Sequence, residues 1–123
     1  MDQIIIEDLE ASFRVGAPIQ ERATPQRLLV TVTMDCDLAP AARTGNLAAT
    51  IDYAAVVQRL HRLGAEGQWV LIESLAEEIA QLILREFKPT RVSILVKKFV
   101  IPETRWIAVK IERTNGAGSV QTP

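Results

Sequence analysis

The chain has 123 residues, which suits one domain built around one hydrophobic core. Its 14 Lys and Arg residues are balanced by 15 Asp and Glu residues, so it lacks the basic excess that a nucleic-acid surface normally shows. No apolar run approaches the roughly 20 residues of a membrane helix, and acidic residues interrupt the apolar N-terminal segment, unlike a signal peptide. We therefore expect a cytoplasmic protein that binds neither nucleic acid nor membrane.

Metal and disulfide chemistry are restricted by the residue counts. Cys36 is the single cysteine of the chain and His61 is its single histidine. One cysteine cannot form an internal disulfide, and one cysteine with one histidine cannot supply the ligand set of a typical zinc site. The sequence therefore predicts no metal centre.

The first two predicted elements are strands. The segment from Ile4 to Val15 alternates apolar and polar residues after a β-branched start, and RLLVTVTMDCDL, from Arg27, alternates in the same way. A period of two predicts strands with one buried face. The break GAP and the polar loop IQERATPQ separate them, so the pair reads as a long hairpin.

Two helices are predicted next. Residues 39–46 are small and polar, which indicates a connection. A helix is expected to begin near Asp52 and to end at Gly64 or Gly67, because its apolar residues recur every three or four positions. A second helix with a broad apolar face is expected from about Glu73 to Phe87, before a proline.

Two further strands complete the predicted fold. RVSILVKKFVI, from Arg91, is strongly β-branched, and TRWIAVKIER, from Thr104, alternates again. The order ββααββ predicts the α+β class, with a four-stranded antiparallel sheet and two helices on one face. Residues 1–113 would form a single domain and residues 114–123 a flexible tail. The open edges of such a sheet favour pairing with further copies of the chain.

Four stretches of the sequence resemble a known family. They are GAPIQERATPQ from Gly16, ARTGNLAATIDYAAV from Ala42, VLIESLAEEIA from Val70, and the lysine that ends the third predicted strand. In this order and spacing, over almost the whole ordered part of the chain, they resemble the dihydroneopterin aldolase family of the tunnelling-fold superfamily. Each motif is weak alone, and the combination is specific.

The resemblance implies an activity and an assembly. The family is a lyase of folate biosynthesis that cleaves 7,8-dihydroneopterin by a retro-aldol step to 6-hydroxymethyl-7,8-dihydropterin and glycolaldehyde, sometimes with side-chain epimerase activity. It uses no cofactor and no metal, because the protonated ring imine of the pterin accepts the electrons. Its subunits close into a β-barrel ring, a homo-tetramer or a stacked homo-octamer, with active sites at the subunit interfaces.

The resemblance also implies roles for particular residues. Glu73 would anchor the pterin by accepting hydrogen bonds from its amino group and ring N–H, a two-point contact that a carboxylate suits. Leu71 and Ile72 would form the adjacent pocket wall, and Asp52 is assigned to the same substrate-binding set, although it is also a candidate helix cap. Without the resemblance, Glu73 could simply favour the positive end of the helix dipole.

Three residues are the predicted catalytic groups. By resemblance, Lys98 exchanges a proton near the side-chain hydroxyl, while Tyr53 and Glu21 reach the site from a neighbouring subunit. The chain departs from the family pattern here, because Phe99 replaces the usual proline and the following loop looks shorter. Lys97 therefore competes with Lys98 for the assignment, and both could instead be edge-strand lysines that discourage aggregation.

Two other functions are consistent with the sequence. A dihydroneopterin triphosphate epimerase would need basic residues at the pocket mouth, and Arg22 and Arg27 flank Glu21. A non-catalytic pterin-binding homologue would explain the altered segment KKFVIP, from Lys97.

Overall fold

The computed structural model describes residues 1–115, and within them a five-stranded mixed sheet forms the body of the fold. The strand order across the sheet is β3-β1-β2-β4-β5. The long strands β1, β2, β4 and β5 are antiparallel neighbours, whereas β3 is parallel to β1. The strands are β1 (Gln3–Val15), β2 (Gln26–Asp35), β3 (Gln68–Trp69), β4 (Arg91–Lys98) and β5 (Ile107–Thr114).

The helices lie on one face of this sheet, and the core lies between the two layers. The described residues contain α1 (Ala39–Thr44), α2 (Tyr53–Glu66) and α3 (Ile72–Glu86). Helix α2 packs on β1, and α3 packs on β4 and β5. Apolar side chains from alternate strand positions meet the apolar faces of the helices, and those that are fully buried include Phe13, Val30, Leu60, Ile79 and Ile94. The predicted α+β class is confirmed.

The sheet and helix numbers differ from the prediction of four strands and two helices. Strand β3 has two residues, too few for a periodic pattern, and it pairs with β1 only at Arg14 and Val15. Helix α1 occupies the predicted connection at residues 39–46. Its six residues bury no side chain, so no apolar stripe marks it in the sequence.

Strand ends also differ from the prediction. The apolar residues Phe99, Val100 and Ile101 continue the pattern of β4, yet they leave the sheet after Lys98 and are exposed. The loop turns back through a hydrogen bond from the Thr104 amide to the Ile101 carbonyl, and β5 begins at Ile107 rather than at residue 104.

The predicted tail, residues 114–123, lies mostly outside the described residues. Its first two residues are placed. Thr114 pairs with Arg91 in the sheet, and the Asn115 amide and side chain donate hydrogen bonds to the carbonyls of Thr90 and Leu84. The structure therefore continues two residues past the predicted boundary at 113.

Gly64 lies inside α2 rather than at its end. A Cβ atom at this position would stand 2.3 Å from the Ser12 carbonyl oxygen and 3.2 Å from the Phe13 ring. The absence of a side chain therefore lets α2 approach β1 closely. The helix ends at Glu66, and Gly67 follows in extended conformation.

The face of the sheet away from the helices is open and largely polar. A shallow groove on it is lined by Gln3, Thr31, Thr33, Ser93 and Lys110, among others. Strand β3 covers only one end of β1, so most of the β1 edge stays free, and β5 is the opposite edge. Among residues 1–115, no helix combines the length and apolar character needed to cross a membrane.

Candidate active site

A concave pocket at one end of the sheet brings together most of the predicted site residues. Its volume is about 470 Å³, within the usual range for small-molecule sites. Glu21, Leu71, Ile72, Glu73 and Lys98 all line it. They come from the loop after β1, the segment that enters α3 and the end of β4. Apolar side chains of the loop after β4 and of β5 complete the wall.

The pocket contains an acid–base pair. Lys98 Nζ lies 2.7 Å from Glu21 Oε2, and the two side chains are only 13% and 26% exposed. The hydrogen bond from Lys98 holds the pKa of the Glu21 carboxyl below its ordinary value, against the opposing effect of burial. Glu21 is therefore ionised at neutral pH and holds the ammonium group of Lys98 at the pocket wall.

The alternation of β4 decides which lysine enters the pocket. Val92, Ile94 and Val96 are fully buried on the helix-covered face, and Lys98 continues that register. Lys97 points to the open face, where its Nζ lies 2.9 Å from Asp8 Oδ1. Because β4 lies between β2 and β5, the interpretation of both lysines as edge-strand residues is wrong.

The loop between β1 and β2 holds the Glu21 carboxylate. Gln26 Nε2 donates hydrogen bonds to the Val15 carbonyl at 2.6 Å and to Glu21 Oε2 at 3.3 Å. Gly16 has φ 153°, and a Cβ atom there would stand 2.3 Å from the carboxyl carbon of Glu21. Gly16 and Gln26 belong to the first sequence motif. The sequence did not reveal that Gln26 donates a hydrogen bond to Glu21, or that the missing side chain of Gly16 leaves room for the Glu21 carboxylate.

Glu73 lies in the first turn of α3, on the pocket side. Its side chain is exposed, and none of the cations in residues 1–115 pairs with it. Leu71 precedes the helix in extended conformation and is 47% exposed at the pocket, whereas Ile72 is nearly buried in the wall. A carboxylate at a helix start with free lone pairs is suited to accept hydrogen bonds from a ligand.

Tyr53 and Asp52 lie away from this pocket. Tyr53 begins α2 and is 63% exposed beside a separate apolar hollow, which Leu47 and Ile51 also line. Asp52 caps α2, because its Oδ1 accepts hydrogen bonds from the Ala54 and Ala55 amides. Neither residue joins Lys98 within one chain. Glu21, in contrast, was expected from a neighbouring subunit, and the structure corrects this, since Glu21 pairs with Lys98 of its own chain.

Two acidic residues on α3 have partners that the sequence did not indicate. Glu78 accepts a hydrogen bond from Trp69 Nε1 at 2.8 Å, and Glu77 pairs with Arg113 at 2.7 Å. They tie α3 to β3 and β5. Trp69 lies nine residues before Glu78, and Arg113 lies 36 residues after Glu77, so neither pair falls within the periodic pattern of a single element.

Together, the fold and the pocket define a small α+β protein with a lysine–carboxylate pair in a ligand-sized cavity. The family model for dihydroneopterin aldolase, FolB, matches residues 4–112. The chain belongs to the dihydroneopterin aldolase family.

Relatives and solved structures agree with this membership. The chain is 34% identical over 105 residues to the dihydroneopterin aldolase of Streptomyces coelicolor, covering 85% of this chain and 87% of the relative. It is 30% identical over 115 residues to folic acid synthesis protein FOL1 of Dictyostelium discoideum, of which it spans 18%. The crystal structure of E. coli dihydroneopterin aldolase in complex with neopterin is 27% identical, covers 92% of this chain and 99% of its own, and superposes with a TM-score of 0.87.

Proposed function

We propose that this chain cleaves 7,8-dihydroneopterin by a retro-aldol reaction, giving 6-hydroxymethyl-7,8-dihydropterin and glycolaldehyde as a step of folate biosynthesis. The observation that carries the proposal is the Lys98–Glu21 pair, at 2.7 Å, in a pocket that Glu73 also lines. Family membership supplies the reaction class, and the complex of E. coli dihydroneopterin aldolase with neopterin indicates the kind of ligand.

Glu73 is the proposed anchor for the pterin ring. Its carboxylate would accept hydrogen bonds from the ring amino group and the adjacent N–H. Leu71 and Ile107 offer partly exposed apolar surface at the same pocket, against which a flat ring can pack. This orientation would direct the hydroxylated side chain of the pterin towards Lys98.

The Lys98–Glu21 pair is the proposed proton-transfer device. Lys98 first gives its ammonium proton to the ring imine nitrogen. The resulting neutral amine then takes the proton of the hydroxyl on the second side-chain carbon, directly or through a water molecule, as the bond between the first and second side-chain carbons breaks. The electron pair remains on the carbon attached to the ring and is delocalised into the protonated ring imine. Glycolaldehyde leaves, and that carbon takes up a proton. Ionised Glu21 holds Lys98 and contacts the departing hydroxyl groups.

Tyr53 of a second copy is the proposed donor of that last proton. Tyr53 is 63% exposed and lies beside a different hollow of the surface. The pocket itself is bordered by exposed apolar residues, Val70, Leu71, Val100 and Ile101. Exposed apolar patches of this kind mark association surfaces, and the edges of β1 and β5 are available for pairing. A homo-tetramer ring or homo-octamer would cover both features and complete the site.

An unphosphorylated substrate suits this pocket better than a triphosphate. The arginines that flank Glu21 are engaged elsewhere. Arg22 donates to the carbonyls of Gly16 and Ala17, and Arg27 pairs with Glu10 at 3.0 Å. The pocket lining carries Glu21 and Glu73 against Lys98, a charge balance that disfavours a polyanion. Epimerisation at the side-chain hydroxyl stays possible as a second outcome, because it shares the same intermediate.

Product analysis tests the proposal. The purified protein is incubated separately with 7,8-dihydroneopterin and with its triphosphate, and products are separated by chromatography. We expect 6-hydroxymethyl-7,8-dihydropterin with an equal amount of glycolaldehyde from the first substrate only. Lys98→Ala should lower turnover by roughly 10²- to 10⁴-fold. Pterin binding without cleavage would indicate a non-catalytic homologue, and faster conversion of the triphosphate to its epimer would indicate an epimerase.

A further inference from the structure

We propose that Lys97 is a positioning residue for Lys98, held from the open face of the sheet by Asp8 and Trp106. This inference rests on the proposed function only for its kinetic consequence. The two lysines are consecutive on β4 and point to opposite faces, so fixing the first fixes the strand end that presents the second. Three groups of contacts lead to this inference.

The first is an irregularity in β1 that aims Asp8 at Lys97. The register between β1 and β2 shifts between Ile6 and Leu9, as at a β-bulge, and Asp8 has φ 52°. A non-glycine residue with positive φ persists only where its surroundings hold it. The Asp8 amide donates to Thr31 Oγ1 at 2.9 Å on β2. The bulge therefore places the Asp8 carboxylate across β2, within reach of β4.

The second is the environment of Lys97. Its Nζ lies 2.9 Å from Asp8 Oδ1 and 4.8 Å from the centre of the Trp106 ring. The Lys97 side chain is only 16% exposed, so neither contact is fully screened by solvent. Trp106 immediately precedes β5, and Ile107 pairs with Lys98 across the sheet. The contact between Lys97 and the Trp106 ring thus links the end of loop 99–106 to β4 at the position next to Lys98.

The third is a matching contact at the start of the same loop. The Arg27 guanidinium lies 5.4 Å from the centre of the Phe99 ring, and Arg27 also pairs with Glu10. At each end of loop 99–106 an aromatic ring therefore packs against a cation on the open face of the sheet: Phe99 against Arg27 at the start, and Trp106 against Lys97 at the end. The loop contributes Val100 and Ile101 to the pocket wall. In place of the stiff proline of the family pattern, this chain has Phe99, and the two stacks supply the restraint.

Lys97→Met tests the proposal, because it keeps an unbranched apolar side chain and removes the charge. Lys110→Met is the matched control, since Lys110 lies on the same open face and, among residues 1–115, has no ion-pair partner. Two quantities are measured. One is the rate at which an acetylating reagent labels the Lys98 amine, quantified by peptide mass spectrometry. The other is kcat and KM for dihydroneopterin.

We expect Lys97→Met to speed labelling of Lys98 by roughly 3- to 30-fold, the range that a lost cation–aromatic contact of this burial spans. The kcat should fall by a similar factor with little change in KM, and Lys110→Met should match the wild type in both quantities. Trp106→Leu should reproduce the faster labelling and the lower kcat. Lys97→Arg keeps both contacts and should therefore stay close to the wild type in both quantities.

Unchanged labelling of Lys98 in both Lys97→Met and Trp106→Leu would overturn the proposal. A folded but inactive wild type would instead contradict the proposed function, and the labelling rates would still decide the positioning role. If Lys97→Met does not fold, Trp106→Leu supplies the same comparison, since it leaves the Asp8–Lys97 pair intact.

Discussion

The two pocket carboxylates differ in their partners. Glu21 is already paired with Lys98 at 2.7 Å and hydrogen-bonded by Gln26. Glu73 has no cationic partner in the described part of the chain and retains its accepting capacity. The same residue type therefore serves two purposes, set by its neighbours: one carboxylate orients a lysine, and the other is available to a ligand.

Replacing the free carboxylate should weaken pterin binding. Glu73→Gln keeps the size of the side chain but puts an amide donor where the ring presents donors. A hydrogen bond to a charged group contributes roughly 1.5–3 kcal/mol, so affinity for the hydroxymethyl product should fall about 10- to 100-fold. Fluorescence titration measures this, with Glu66→Gln as the control, because Glu66 is an exposed residue at the end of α2 and does not line the pocket. Equal affinity in both variants would return Glu73 to a helix-dipole role.

A side chain at position 16 should displace Glu21. In Gly16→Ala the new Cβ would overlap the Glu21 carboxyl group, because it would stand 2.3 Å from the Cδ and Oε1 atoms of Glu21. A catalytic group misplaced by about 1 Å can cost roughly 10²-fold in rate, and we expect a loss of this order in kcat. Gly45→Ala is the control, because Gly45 also has positive φ but nothing within 4 Å. If both variants kept wild-type turnover, Gly16 would have no role in placing Glu21.

The Glu21–Lys98 pair should make stability depend on pH in the acid range. The pKa of Glu21 in the folded protein lies below its ordinary value of 4.5, chiefly because Lys98 donates a hydrogen bond to it. Its contribution is therefore fully present above pH 4.5 and is lost as the pH falls through the folded pKa. Urea unfolding of the wild type and Glu21→Gln should give a difference in unfolding free energy that is constant near neutrality and shrinks in acid. A difference that did not vary with pH would contradict this.

At the scale of elements, the close approach of α2 to β1 depends on Gly64. Replacing a helical glycine with alanine normally favours the helix by up to about 1 kcal/mol. Here the added Cβ would stand 2.3 Å from the Ser12 carbonyl oxygen. Because that oxygen belongs to the backbone, the clash cannot be relieved by rotating a side chain. We expect the steric term to win, with Gly64→Ala lowering the unfolding free energy by about 1–3 kcal/mol. A rise in the urea midpoint would show that α2 shifts without cost.

The long elements were predictable because each has a periodic face. Strands β1 and β2 alternate buried and exposed residues over most of their length, and α3 carries its apolar residues on one side. The short elements were not predictable. Strand β3 has two residues, and α1 buries none of its side chains, so neither leaves a hydrophobic pattern.

For the site, the sequence allowed the identity of several residues to be predicted, but not the contacts between them. The register of β4 favours Lys98 over Lys97 from sequence alone, because alternate residues share a face. The Glu21–Lys98 pair joins positions 77 apart, and no local pattern could show it within one chain. The same limit applies to Asp8, whose contact with Lys97 depends on a bulge, and to Trp69 with Glu78, which joins α3 to a strand that the sequence did not reveal.

At the scale of the molecule, the proposed catalytic residues of one chain lie on two separate surfaces. The pocket holds Lys98, Glu21 and Glu73, while Tyr53 lies on another surface of the same chain. If a second copy supplies Tyr53, each active site contains Lys98 from one chain and Tyr53 from the next. The catalytic unit would then be the interface between copies, and the exposed apolar rim of the pocket would be covered on assembly.

Mixing two damaged variants tests this arrangement and the chemistry together. Lys98→Ala and Tyr53→Phe are each assayed alone, then unfolded together in equal amounts, refolded and assayed again with 7,8-dihydroneopterin. We expect each variant alone to be nearly inactive. After random mixing, about one quarter of the interfaces should contain both wild-type Lys98 and wild-type Tyr53, so about one quarter of the wild-type activity should return. Activity of the mixture equal to the mean of the two variants would contradict a site shared between copies.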